Sequence, residues 1–115
     1  MAAVPISIRF DRRPEALVAL VSGRLDSSAA QQFQDELTAA LKTPSPRLLL
    51  DLAEVAFIAS AGLRVLLYVA KQQKAHDGTV ELCAVAPDVL QVIRISGFDR
   101  FLPLHPTTGA ALGFG

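Results

Sequence analysis

The sequence predicts an α/β domain: a mixed, mostly parallel sheet of four to five strands with an antiparallel edge strand at the N-terminus and about four helices. Three observations predict it. Short apolar runs recur along the chain, at Leu17–Val21, Leu48–Leu52 and Thr79–Ala84. Helix-periodic segments separate them, as right-handed parallel crossovers require. The first run is preceded by an alternating segment and a turn too short for a crossover, so that pair is antiparallel. With 115 residues, the chain is read as one domain, residues 1–115, large enough to bury a core without staples.

The elements follow in order. Val4, Ile6, Ile8 and Phe10 alternate with Pro5, Ser7 and Arg9, the period of a half-buried strand. Pro5 cannot donate to a ladder, which places that strand at an edge. Asp11-Arg12-Arg13-Pro14 reads as a turn, and Leu17–Val21 as a strand buried on both faces. Gly23-Arg24-Leu25-Asp26 leads into a helix that Ser28 and Gln31 are spaced to cap as a box. Its apolar stripe is Ala30, Phe33, Leu37, Ala40 and Leu41, and Pro44 and Pro46 end it. After the strand Leu48–Leu52, residues 53–59 read as a loop. Ser60 opens the next helix, with Leu63, Leu66, Leu67 and Ala70 inward and Arg64, Lys71 and Lys74 facing elsewhere. Asp77-Gly78 turns the chain into Thr79–Ala84. Pro87 suits the first turn of a third helix carrying Val89, Leu90 and Ile93, and Gly97 its C-terminal end. Phe101–Leu104 reads as a short last strand and residues 107–112 as a final helical turn.

Composition excludes several functions. Lysine plus arginine and aspartate plus glutamate both number 11, so the chain lacks the positive field that nucleic acid or an anionic membrane selects. Cys83 is the single cysteine and forms no internal disulfide, which fits a reducing compartment. The first residues lack the pattern of a secretory signal and no stretch is apolar enough to span a bilayer. The protein is expected to be soluble and cytoplasmic. Cys83, His76 and His105 show no catalytic or metal-ligand spacing, and Gly62 stands without a phosphate loop around it. Asp51 ends a strand as a phospho-accepting aspartate does, but the acid cluster and the lysine on the last strand are missing. No enzyme, metal or cofactor is expected.

The informative segment is Ile58-Ala59-Ser60-Ala61-Gly62-Leu63-Arg64. A serine opens a helix, where unpaired amides and the helix dipole favour a phosphate. Gly62 is expected to let another protein approach, and Val55, Phe57 and Ile58, where exposed, to form an apolar docking ring. As a plain capping residue, Ser60 would carry no such meaning.

Three blocks carry a resemblance: Gly23-Arg24-Leu25-Asp26, Leu50-Asp51-Leu52 with Ala59-Ser60-Ala61-Gly62-Leu63-Arg64, and Ser96-Gly97-Phe98-Asp99-Arg100-Phe101. In this order they resemble the STAS domains of bacterial anti-sigma factor antagonists. The resemblance implies the STAS fold and a partner-switching role in transcription. The partner would be an anti-sigma factor that is also an ATP-dependent serine kinase. Ser60 would accept the phosphate, and a metal-dependent serine phosphatase would remove it. The docking face would comprise Gly23, Arg24, Asp26, Phe57, Ile58, Ala59, Ser60, Ala61, Gly62 and Arg64. The chain departs from the family pattern at Ala59, where an acidic residue is usual. The alternative is a STAS module without phosphorylation that binds a nucleotide or small ligand, or serves as a signalling scaffold.

Overall fold

The computed structural model describes residues 6–114; the expectations for Val4 and Pro5 lie outside them. Five strands form one sheet in sequence order: β1 (Ser7–Arg12), β2 (Leu17–Leu25), β3 (Arg47–Ile58), β4 (Thr79–Cys83) and β5 (Leu104–His105). β1 runs antiparallel to β2, and every later neighbour is parallel. The helices are α1 (Ala30–Ala40), α2 (Ser60–Ala75), α3 (Pro87–Ile95) and α4 (Thr108–Ala111).

The apolar runs of β2, β3 and β4 are buried on both sides, but the two sides differ in depth. Leu17, Ala19, Val21, Leu48, Leu50, Val80 and Leu82 face α1, α2 and α3 in the main core. Val18, Leu49 and Cys83 face the other way, against Ala16, just before β2, and Ala111 of α4. Cys83 is therefore a small core residue, and burial pushes its thiol pKa up. α1 presents Phe33 and Leu37 to the main core, and α3 presents Val89 and Ile93.

On α2 the buried face is Gly62, Val65, Leu66, Val69 and Gln73. Leu63, Leu67 and Ala70, expected inward, are half-buried on its flanks. Gln73 is tolerated inside because its amide donates to the carbonyls of Ser45 (3.0 Å) and Thr79 (3.1 Å). Gly97 takes the left-handed conformation just past α3, φ +80°, as a helix end demands. Phe101 lies in a turn and is exposed, so the last strand starts later than expected, at Leu104. Thr107 caps α4, its hydroxyl accepting from the Ala110 amide at 2.9 Å.

The largest correction concerns residues 53–58, which continue β3 rather than forming a loop. Leu20 pairs with Asp51 and Ser22 with Glu54; Gly23 pairs with Val55 and Arg24 with Phe57. At each of these two steps β3 carries one more residue than β2, so β3 bulges twice. Burial then falls on Leu52, Val55 and Ile58, every third residue, and the period of two that betrays a strand is erased. β2 likewise runs on through Gly23 and Arg24 to Leu25.

On the α4 side, Glu81 is buried with a full set of partners. It accepts from Arg47 Nε (2.8 Å) and Nη2 (2.7 Å), from the Thr79 hydroxyl (2.7 Å), and meets His105 Nε2 at 2.8 Å. Arg47 also donates to the Ala111 carbonyl at 2.9 Å, tying α4 to the sheet. The Arg47 guanidinium above all, then Thr79 and His105, hold the Glu81 pKa down to about 2 despite its burial.

Candidate functional site

The parallel ends of β2 and β3 deliver two segments side by side. Leu25 is in register with Ile58 and Arg24 with Phe57. Ala59 is extended (φ −98°, ψ 172°), and its amide donates to the Leu25 carbonyl at 2.9 Å. Its own carbonyl then accepts the first bond of α2, from the Leu63 amide at 3.0 Å. Ser60 is thus the first residue of α2, set directly beside the end of β2.

Ser60 is exposed, and among the described residues its hydroxyl makes no hydrogen bond. It is not the cap of α2; that position belongs to Ala59, whose methyl side chain cannot accept a hydrogen bond. The first turn of α2 contains no acidic residue, so nothing within it opposes a negative charge at the helix start. Arg64, one turn on, is exposed.

At the ends of β2 and β3, the Arg24 guanidinium lies over the Phe57 ring, 4.4 Å from its centroid, a distance at which the ring's quadrupole attracts the cation. Phe57 remains 38% exposed. The expected apolar ring of three reduces to this one side chain, because Val55 and Ile58 are buried in the core.

Asp26 follows β2 and organises the entry to α1. Its Oδ1 accepts from the Ser28 hydroxyl (2.7 Å) and from the amides of Ser28 and Ala29 (3.1 Å each). The Ser28 hydroxyl first, with the two amides and the Arg24 charge, lowers the Asp26 pKa. Asp26, and not Ser28, supplies the turn that starts the helix. Gln31 does not reach back as a capping box would; its amide donates along the helix to Asp35 at 2.8 Å.

The two glycines have internal reasons. A Cβ on Gly62 would stand 2.8 Å from the Leu25 carbonyl oxygen and 2.9 Å from Ile58 Cγ1. Gly62 is buried, so it serves the approach of α2 to the end of β2, not the approach of another protein. Gly23 has φ +115° and packs on Ile6, 3.2 Å from where its Cβ would be, a conformation that favours glycine.

The structure therefore places Arg24 and Asp26 at the end of β2, Phe57 at the end of β3, and Ala59, Ser60, Ala61 and Arg64 at the start of α2, with Gly23 half-buried in β2. Ile58 and Gly62 shape this surface from beneath. The cation–aromatic pairing of Arg24 with Phe57 was hidden from the sequence, since it depends on the bulged register. Cavities of about 430 and 440 Å³ occur elsewhere. The first lies between α1 and α2 around Leu41, Tyr68 and His76, and the second along α2 and β4 around Leu67, Lys74 and Phe101. Ser60 lines neither. Among the described residues no group of three His, Cys, Asp or Glu is placed to hold a metal, and no helix is long and apolar enough to cross a membrane.

A mixed five-stranded sheet with an antiparallel first pair, and an exposed serine at the start of the helix after the third strand, defines a class. The STAS domain profile matches residues 7–111, and the chain belongs to that family. Within it, the chain is 37% identical over 106 residues to BtrV of Bordetella bronchiseptica, which carries the name anti-sigma factor antagonist; the match covers 92% of this chain and 91% of that protein. It is 29% identical over 100 residues to the anti-sigma-F factor antagonist RsfA of Mycobacterium tuberculosis, covering 84% of this chain and 77% of the relative. The crystal structure of an anti-sigma factor antagonist from Mycobacterium paratuberculosis superposes with a TM-score of 0.84 at 28% identity, over 93% of this chain and 91% of that one.

Proposed function

We propose that this chain is an anti-sigma factor antagonist whose docking face is the end of β2, the end of β3 and the first turn of α2. Its partner is an anti-sigma factor with ATP-dependent serine kinase activity, met in the cytoplasm. Phosphate on Ser60 ends the contact, and a metal-dependent serine phosphatase restores it. The chain acts by binding and carries out no chemistry of its own. The observation that carries this reading is the free, exposed Ser60 hydroxyl at the tip of α2, which starts where β2 and β3 end.

The physics of the switch is local. Phosphate adds nearly two negative charges and three acceptor oxygens. On the free protein, water and the α2 amides solvate it. Inside an interface it must be desolvated or set against like charge, which costs several kcal/mol. Each 1.4 kcal/mol is about tenfold in affinity, so a loss of a hundredfold or more needs no refolding. The cavities that Ser60 does not line favour a protein partner over a small ligand at this position.

The test is capture of the partner from the source cell by the purified chain, followed by binding measurements on variants. Incubation with ATP and the captured kinase adds one phosphate to the wild type and none to Ser60→Ala. Phosphate added at a different residue would refute the assignment of Ser60.

A further inference from the structure

Among the described residues, β1 leaves its outer side without a neighbouring strand. Half of the backbone donors and acceptors of such an edge strand point away from the sheet, ready to pair with another chain. Proteins commonly blunt edges with charge, and β1 is charged. Its charges, however, are arranged to complement themselves. Arg9 and Asp11 are exposed and two residues apart, in register with Leu20 and Val18, so both stand on the α4 side of the sheet. Phe10 lies between them on the opposite side, in register with Ala19, and is 39% exposed.

Consider a second β1 laid antiparallel with Phe10 opposite Phe10. Residues directly opposite share a face. Arg9 of each copy then faces Asp11 of the other, giving two symmetric ion pairs on one face and an aromatic pair on the other. The neighbouring symmetric registers are penalised. Centring on Arg9 sets Arg9 against Arg9, and centring on Asp11 sets Asp11 against Asp11. Within the chain Arg9 has no salt bridge among the described residues, and Asp11 has only the exposed Arg13 at 3.1 Å. Arg12 is engaged elsewhere, donating to the carbonyls of Ala40 (2.7 Å) and Thr43 (3.0 Å) at the end of α1, and does not compete for Asp11.

We propose that the chain self-associates through β1, antiparallel about Phe10, joining two five-stranded sheets into one. This inference is independent of the role of Ser60. A strand of six residues buries less than the roughly 1,200 Å² of a lasting complex, so the association is weak and reversible.

Sedimentation of the intact protein tests it with charge reversal. The wild type shifts from monomer towards dimer as its concentration rises to about 1 mM, the regime of a weak edge contact. Arg9→Asp and Asp11→Arg each weaken self-association at least about tenfold, because both symmetric pairs become repulsive. Mixed one to one, the two variants associate again. One then carries two carboxylates on its edge and the other two guanidiniums, so both cross-strand pairs are attractive. Both positions are exposed, and unchanged melting of each variant confirms that the fold is intact. A wild type that stays monomeric throughout, single reversals that leave the dimer unaltered, or a mixture that fails to associate would each overturn the proposal.

Discussion

Gly62→Ala measures how tightly α2 is seated on the end of β2. The added methyl would sit 2.8 Å from the Leu25 carbonyl oxygen, 2.9 Å from Ile58 Cγ1 and 3.2 Å from Leu25 Cβ. The nearest atom belongs to the backbone, and it is already bonded to the Ala59 amide at 2.9 Å. Relief requires the first turn of α2 to lift, stretching a hydrogen bond worth about 1 kcal/mol. Overpacking a filled site costs a further 1–3 kcal/mol, roughly. Against this, alanine is favoured over glycine in a helix by about 1 kcal/mol. The balance is a destabilisation of about 1–3 kcal/mol, which for a domain of this size lowers Tm by roughly 4–12 °C. Gly109→Ala is the control. It makes the same chemical change in α4, where the nearest atoms lie 3.8 and 4.0 Å away, so its stability should equal or exceed that of the wild type. Thermal and urea unfolding of both variants read the comparison. If Gly62→Ala melts at or above the wild-type temperature, the close approach does not explain the glycine, and the seating of Ser60 is looser than described.

Other perturbations address the site and the frame. Ser60→Asp should abolish most partner binding while Tm holds or rises slightly, because an acid at a helix start gains about 0.3–1 kcal/mol; a marked fall in Tm would make Ser60 structural. Phe57→Ala should weaken the partner about tenfold or more, as loss of a central aromatic anchor does, with Tm changed little because the ring is 38% exposed; binding measured by calorimetry decides. Glu81→Gln should cost about 2 kcal/mol at neutral pH by leaving Arg47 without its counter-charge. The Glu81 pKa is depressed from 4.5 to about 2. Its stabilisation is therefore full above about pH 4.5 and lost as pH falls towards 2, so the wild-type advantage over Glu81→Gln in urea unfolding should shrink across that window. Ala84→Gly should stabilise by about 0.5–1 kcal/mol in the same assay, since Ala84 holds φ +55°, a left-handed conformation that strains any side chain.

Much of this frame was legible because its physics is local. The helix end at Gly97, the edge position of the first strand and the alternation of apolar runs with helical stripes each follow from neighbours in sequence. The misreadings share one cause, which is geometry set by distant residues. The end of β3 is not legible in the sequence, because its bulges depend on pairing with β2. The apolar recurrence at Leu52, Val55 and Ile58 was the available trace, and its spacing of three suggests neither strand nor loop. Asp26 displaced Ser28 as the helix-starting acceptor because a carboxylate two residues earlier reaches two amides and a hydroxyl together. The inner face of α2 lies one residue from the phase its leucines suggest, since Leu63 and Leu67 are as apolar as the Val65 and Leu66 that the sheet selects. The position of Ser60 at the start of α2 is legible in the sequence, but Arg24 and Phe57 meet only once the register is known.

The doubled bulge of β3 has a consequence for how such a surface diversifies. An ordinary strand spends every second residue on the interior. Between Asp51 and Ser60 this one spends a third, leaving Ala53, Glu54, Ala56 and Phe57 exposed. Those positions are free to exchange one side chain for another without repacking anything beneath. A lineage of paralogues can thus acquire new allegiances here by ordinary substitution, while the three inward anchors keep the helix tip fixed in space.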